Sequence, residues 1–144
     1  MKNSKRTFTL ILAILLIVIS ALPTYGISIR ATPRYNNATR LEDSFTVSSG
    51  GLAEVIAYYD GYPYTTWATI SIKLERLSEF GWEEVENGYL NNTYVAQLSG
   101  TSGSVRYTLE LEKRGIYRAI VEYSIYGSGG LEPDFITHTL EGEY

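Results

Sequence analysis

Three segments of this 144-residue chain alternate apolar and polar side chains with a period of two residues. Successive side chains of a β-strand point to opposite faces, so this period predicts strands that bury one face and expose the other. The apolar positions are Ala68, Ile70, Ile72 and Leu74 in residues 67–77; Val105, Tyr107, Leu109 and Leu111 in residues 105–112; and Tyr117, Ala119, Val121, Tyr123 and Ile125 in residues 116–126. No segment after residue 26 keeps the helical period of about 3.6 residues. We therefore expect an all-β fold.

Shorter β-type segments, separated by glycine and asparagine clusters, occupy most of the remaining chain. They lie at residues 44–48, 52–60, 82–86, 93–98 and 135–140. About eight short strands with turn signals every 8–12 residues are typical of an antiparallel sandwich or barrel. We expect an antiparallel β-sandwich domain of about seven to eight strands at residues 43–144. A polar, extended lead-in at residues 27–42 precedes it.

The first 26 residues predict export from the cell. A basic head at residues 2–6 precedes an apolar run at residues 8–22 and a small-residue exit that ends at Gly26. A secretory signal peptide has this layout, with an apolar region of roughly 7–15 residues, whereas a membrane-spanning helix needs about 20. We expect residues 1–26 to be cleaved before Ile27, which leaves a secreted, extracellular protein with no membrane segment. The alternative is an uncleaved anchor.

Charge and composition exclude several classes of partner. Three of the 12 basic residues lie in the leader, which leaves nine against 16 acidic residues and a net charge near −7 after cleavage. Nucleic acids and anionic membranes select basic surfaces, so neither is expected as a partner. The chain has no cysteine, which excludes disulfides and thiolate metal sites.

Motifs for catalysis and metal binding are weak. Glu84 and Glu86 could form a carboxylate pair of the glycoside hydrolase type, but an acidic run of this kind is more typical of a solvated edge strand. His138 is the single histidine, and the chain has neither a GxSxG nucleophile motif nor a second histidine for zinc. We expect His138 to be an ordinary residue of the last strand. The sequence predicts no enzymatic activity and no cofactor or metal.

The densest group of aromatic residues lies between two predicted strands. The candidate binding residues are Tyr58, Asp60, Tyr62, Tyr64 and Trp67. Loops of this kind cluster at one end of a sandwich, where aromatic faces can stack on sugar rings or grip peptide side chains. We therefore expect a non-catalytic binding or adhesion module that contacts carbohydrate or peptide through this aromatic loop. The alternative interpretation is that these rings only cover the core.

A structural role is the second functional hypothesis. The chain would then be a component of a cell-envelope or extracellular assembly, held to its neighbours through exposed edge strands. We expect a monomer or a weak oligomer in solution.

One segment, LELEKRGIYRA at residues 109–119, resembles the penultimate corner of immunoglobulin-like and fibronectin type III-like sandwiches. The resemblance implies that Gly115 makes the turn, that Leu111 packs at the corner, and that the Tyr117 hydroxyl bonds back to the corner backbone. It also implies that Trp67, at the start of the third strand, corresponds to the core tryptophan of these folds.

The chain after the leader also resembles small secreted proteins of Gram-positive bacteria that carry an immunoglobulin-like or fibronectin type III-like domain. The resemblance is carried by PRYNN at residues 33–37, by LERLSEFGWEEV at residues 74–85, and by the tyrosine strand that begins at Ile116. It implies an immunoglobulin-like sandwich and an exported location, and it implies no particular reaction.

Overall fold

The computed structural model describes residues 35–144. The predicted signal peptide at residues 1–26 and the first half of the predicted lead-in lie outside the described residues. Residues 35–144 form a β-sandwich of two antiparallel sheets, which confirms the predicted all-β fold. Its strands are β1 (Ala38–Val47), β2 (Leu52–Gly61), β3 (Thr65–Ser78), β4 (Gly81–Glu84), β5 (Thr93–Ser99), β6 (Ser102–Glu110), β7 (Ile116–Gly127) and β8 (Asp134–Glu143).

The eight strands divide unequally between the sheets. The three-stranded sheet has the order β1-β2-β6, and the five-stranded sheet has the order β4-β3-β7-β8 with β5 also paired to β3. Strands β4 and β5 share one edge of β3, because β5 pairs with Trp67–Lys73 and β4 with Glu75–Ser78. A single 3-10 turn at Leu90–Asn92 precedes β5. The described residues contain no helix with the length and hydropathy needed to span a membrane.

The core is built from the apolar positions of the alternating segments. Ala68, Ile70, Ile72 and Leu74 of β3 are fully buried, as are Ala119, Val121 and Ile125 of β7, and Ala53, Val55, Ala57 and Tyr59 of β2 face them from the other sheet. Registers of the β3–β7 pair place Ile70 opposite Tyr123 and Ile72 opposite Val121. Local alternation therefore identified the buried face of both central strands.

Strand β1 begins earlier than its sequence indicates. Ala38 already pairs with Gly61 of β2, so the sandwich starts before the predicted boundary at residue 43. After the buried Ala38, the less exposed residues of this strand are Leu41, Asp43, Phe45 and Val47. A carboxylate on the inner side breaks the apolar–polar alternation, which explains why this half of the strand was predicted to be part of the lead-in.

The buried carboxylate of Asp43 joins the two sheets. One of its oxygens accepts the hydroxyl of Tyr123 on β7, and the other pairs with Nδ1 of His138 on β8. The side chains of Asp43 and His138 are 3% and 20% exposed. His138 lies in the last strand, as predicted, and carries this additional contact between β8 and the edge strand of the three-stranded sheet.

At the corner before β7, a tyrosine hydroxyl bonds back to the backbone of residues 109–119. Tyr117 is buried and its hydroxyl donates to the carbonyl oxygen of Lys113. Leu111 is buried in the same core, and Gly115 has a φ of +150°, in the region that favours glycine. Trp67, in contrast, is not a core residue. It lies on the outer face of the five-stranded sheet, because the even-numbered residues of β3 point inward.

Because several tyrosines are buried, we expect the free energy of unfolding to be lower at alkaline pH. Burial raises the pKa of Tyr123 well above its usual value, and the neighbouring Asp43 carboxylate adds to the rise; burial also raises the pKa of Tyr59 and Tyr117. In the unfolded chain a phenol ionises near pH 10. Above that pH the folded state holds more protons than the unfolded state, so the free energy of unfolding falls as the pH rises.

Urea titrations at pH 8, 9.5 and 11 measure this effect. We expect the urea midpoint to fall above about pH 10, and tyrosinate absorbance to appear together with unfolding. Tyr123→Phe should reduce the pH dependence, and Tyr62→Phe, at an exposed position, is the matched control. A midpoint that does not change between pH 8 and pH 11 would contradict the prediction.

Candidate functional site

A buried carboxylate holds the segment that leads into β1 at one end of the sandwich. The carboxylate of Asp134 accepts the backbone N–H groups of Asn36, Asn37 and Ala38 at 2.9, 2.6 and 3.1 Å. Three consecutive donors to one carboxylate form a strong, charge-assisted group of hydrogen bonds. The residue that opens β8 therefore fixes the segment that opens β1.

Asn37 extends this anchor to the neighbouring strands. Its fully buried side chain donates to the carbonyl oxygen of Ile125 at 3.3 Å and accepts the N–H of Gly129 at 3.1 Å. Its carbonyl oxygen accepts the hydroxyl of Thr65. A Cβ at Gly127 would lie 2.6 Å from Asn37 Oδ1, so only glycine fits there. The ends of β3 and β7 are thus held side by side.

Two aromatic rings stack on the outer face directly beside this anchor. Trp67 of β3 and Tyr126 of β7 are paired in register, with ring centroids 3.7 Å apart and an angle of 5° between the planes. Phe135 of β8 is 70% exposed and lies opposite Ser124, on the same outer face. We call Trp67, Tyr126 and Phe135 the aromatic face.

Short uncharged side chains surround the aromatic face. They are Ser99 and Gln97 of β5, Thr69 of β3 and Ser124 of β7, all in register on the same side of the sheet. Trp67 has Tyr126 on one side and only the small Ser99 on the other. Along β7, the first ionisable side chain on this face is Glu122, whose carboxylate accepts the hydroxyl of Ser71 at 3.1 Å. This end of the sheet therefore offers aromatic rings, hydroxyls and an amide without formal charge.

The turn between β2 and β3 adds two more rings at the same end. Tyr62 and Tyr64 stack with centroids 5.2 Å apart and are 37% and 41% exposed. The Tyr64 hydroxyl donates to the carbonyl oxygen of Asn36 at 3.2 Å, and the Tyr64 carbonyl accepts the N–H of Ser128 at 3.3 Å. We call this pair the tyrosine turn.

The five sequence-predicted binding residues fall on three different surfaces. Tyr62 and Tyr64 lie together at the sandwich end, and Trp67 lies on the outer face of the five-stranded sheet. Tyr58 and Asp60 lie on the outer face of the three-stranded sheet, where the Arg40 guanidinium is 5.5 Å from the centre of the Tyr58 ring. The physical reason is that β2 and β3 belong to opposite sheets, so their outward residues point in opposite directions.

Sequence reasoning missed Tyr126 and Phe135. Both lie in segments that were predicted to be strands, on the polar side of their alternation. A large aromatic residue on the polar side of a strand is the signal that could have identified them. Tyr126 and Phe135 lie near Trp67 because β3 pairs with β7 and β7 pairs with β8. A single sequence does not specify this pairing.

The two carboxylates of the glycoside hydrolase hypothesis, Glu84 and Glu86, lie at the opposite end of the sandwich. A cleft of about 380 Å³ there is lined by Arg76, Glu83, Glu84, Val85, Glu86, Glu110, Glu112, Lys113 and Tyr117. Lys73 Nζ lies 2.7 Å from Glu84 and lowers the pKa of that carboxyl through their hydrogen bond. The carboxylate-pair hypothesis required Glu84 and Glu86 to be neighbours on one face of a strand. Strand β4 ends at Glu84, so Glu86 does not lie on that strand. Within residues 35–144 no group of three or more acidic or histidine side chains is arranged to hold a metal ion.

Comparison with known proteins gives a weak structural likeness. No protein-family model matches the sequence, and no curated protein matches it significantly. Two crystal structures of the β-glucosidase from Listeria innocua, in complex with gluconolactone and with isofagomine, match with a TM-score of 0.43 and 11% identity. The match covers 83% of this chain and 19% of that chain, so this chain spans about a fifth of the enzyme. A likeness at this level carries no argument about activity.

Proposed function

We propose that this chain is an exported, non-catalytic binding module that holds a neutral carbohydrate against its aromatic face. The observation that carries the proposal is the stacked Trp67–Tyr126 pair, with Phe135 exposed beside it, in a surround of hydroxyl and amide side chains. The leader predicted at residues 1–26 supports the export.

The chemistry of this surface matches that of a sugar better than that of a charged ligand. Aromatic rings offer a large apolar area at a small cost in side-chain entropy, and they pack against the C–H faces of pyranose rings. Hydroxyl and amide groups nearby can exchange hydrogen bonds with sugar hydroxyls. The side chains around the aromatic face carry no formal charge, so binding does not remove water from an unpaired ion.

The arrangement of the edges favours binding over the structural hypothesis. Edge strand β1 lies against β8, and edge strand β6 lies against β5, so the borders of the two sheets cover each other. Strand β4 is only four residues long. Short or covered edges are poor templates for strand addition by a neighbouring molecule.

Loss of the indole ring tests the proposal. We expect Trp67→Ala to weaken binding to a responsive glycan by about tenfold or more, because it removes the larger ring of the stacked pair. The probes are cello-, chito-, malto- and manno-oligosaccharides, measured by isothermal titration calorimetry. The matched control is Trp82→Ala, since Trp82 also lies on the five-stranded sheet but at its other end, with Arg118 4.4 Å from its ring centre.

Fluorescence gives an independent reading of the same contact. The chain has two tryptophans, so Trp82→Phe leaves Trp67 as the single reporter. Its emission should change on addition of a glycan that binds. If Trp67→Ala binds every responsive glycan as the parent does, or if the parent binds none of the four series, the proposed function is wrong.

A further inference from the structure

We infer that the carbohydrate is an internal stretch of an extended, neutral polysaccharide, which runs from the aromatic face over the sandwich end onto the tyrosine turn. The inference rests on the proposed function and specifies the ligand of that same site. Three observations carry it, namely the continuity of the two aromatic groups, the length and exposure of the surface, and the position of the flanking charges.

The aromatic face and the tyrosine turn are continuous. Thr66, between Tyr64 and Trp67, donates its hydroxyl to the carbonyl oxygen of Tyr126 at 3.2 Å. The segment after Tyr126 is Gly-Ser-Gly-Gly, and a Cβ at Gly129 would meet the Tyr64 ring and the backbone of Asn36. No bulky side chain of this segment therefore separates Tyr126 from the tyrosine turn.

The combined surface is longer than one sugar ring, and Tyr62, Tyr64 and Phe135 on it are 37%, 41% and 70% exposed. Three residues of extended chain from Tyr64 to Trp67 span about 10 Å, and the two strand spacings from β3 to β8 add about 10 Å across the sheet. An enclosed pocket selects the end of a polymer, whereas a surface open on both sides accepts a chain that continues past it.

Flanking charges oppose an anionic polymer. Residues 61–67 contain no ionisable group other than the tyrosine hydroxyls, and the first charged residues along the chain on either side of Tyr126 are Glu122 of β7 and Glu132 of the β7–β8 loop. Both are acidic, so a polyanion that follows this part of the surface would meet like charge on either side of Tyr126. A neutral polysaccharide meets no such repulsion, and its binding should not depend on salt.

Chain-length dependence of binding tests the inference. The full-length chain is titrated with each of the four neutral series, from two to eight sugar units, at 50 and 500 mM NaCl. For a responsive series, we expect the Kd to fall by about tenfold or more from the disaccharide to the hexasaccharide, because the second aromatic group is engaged within the same complex. The Kd should be equal at both salt concentrations.

Variants assign the length effect to the tyrosine turn. The double variant Tyr62→Ala, Tyr64→Ala should bring the ratio of the two Kd values close to one, while Trp82→Ala should keep the parent ratio. The single variant Tyr62→Ala retains the hydrogen bond from Tyr64 to Asn36. It therefore tests the length effect if the double variant does not fold. Equal disaccharide and hexasaccharide affinities in the parent, or an unchanged ratio in the tyrosine variants, would overturn the inference and leave the proposed function standing. Binding of no series at any length would overturn the proposed function itself.

Discussion

Replacing Asp134 by asparagine is expected to lower the free energy of unfolding by about 3–5 kcal/mol, because three backbone N–H groups, two of them buried, lose their charged acceptor. The amide of asparagine offers one acceptor oxygen where the carboxylate offers two. Its NH2 group would face either the N–H of Asn36, which bonds to Oδ1, or the N–H groups of Asn37 and Ala38, which bond to Oδ2. A domain of this size has a total stability of about 5–15 kcal/mol, so the variant should be marginal.

Urea denaturation followed by circular dichroism measures this loss. Glu132→Gln removes an exposed carboxylate two residues earlier in the same loop, and it should leave the urea midpoint unchanged. The Asp134→Asn variant should also expose the segment before β1 to proteases more readily than the parent. If the Asp134→Asn variant has the same urea midpoint as the parent, the carboxylate does not stabilise the fold and the prediction is wrong.

Removal of the Asp43 carboxylate is the second large effect that we expect. Asp43→Ala should cost about 2–4 kcal/mol, because the hydroxyl of Tyr123 loses its charged acceptor inside the protein. The Tyr58 carbonyl oxygen, 3.5 Å from that hydroxyl, is too distant to replace it fully. The contact of His138 with the edge strand is lost in the same variant.

A double-mutant cycle with His138→Ala separates the two partners of Asp43. His138→Ala alone should cost less than Asp43→Ala, since its ring is partly in solvent and Tyr123 keeps its acceptor. The effects of the two substitutions should not be additive, because both break one network. Glu42→Gln, an exposed carboxylate next to Asp43, is the matched control and should keep the parent's midpoint. Additive effects would show that His138 and Asp43 act independently.

The buried face of each central strand could be predicted from the sequence because it depends on local information. Ile70 and Ile72 alternate with polar residues, and the same holds for Val121 and its neighbours, so the buried side of each strand follows from its own composition. Strand β1 was truncated in the prediction because Asp43 occupies an inner position. Its acceptor role becomes visible only when Tyr123, 80 residues later, is placed beside it.

The candidate site depends on contacts between residues far apart in sequence. Asp134 reaches Asn37 across 97 positions, and Trp67 meets Tyr126 only because β3 pairs with β7. The aromatic loop predicted from residues 58–67 assumed that neighbours in sequence share a surface. The chain instead changes sheets between Asp60 and Trp67, which separates Tyr58 from the tyrosine turn.

The position of Tyr35 relative to Tyr144 has a practical consequence for attaching this domain to a support. Asn36, the next residue, receives the hydroxyl of Tyr64 at the end that carries the aromatic rings. Tyr144 exchanges backbone hydrogen bonds with Gly115 at the far end. A sensor chip or array that captures the protein by Tyr144 would present the end with the aromatic rings to the solution, whereas a carrier fused upstream of Tyr35 would lie beside that end and crowd it.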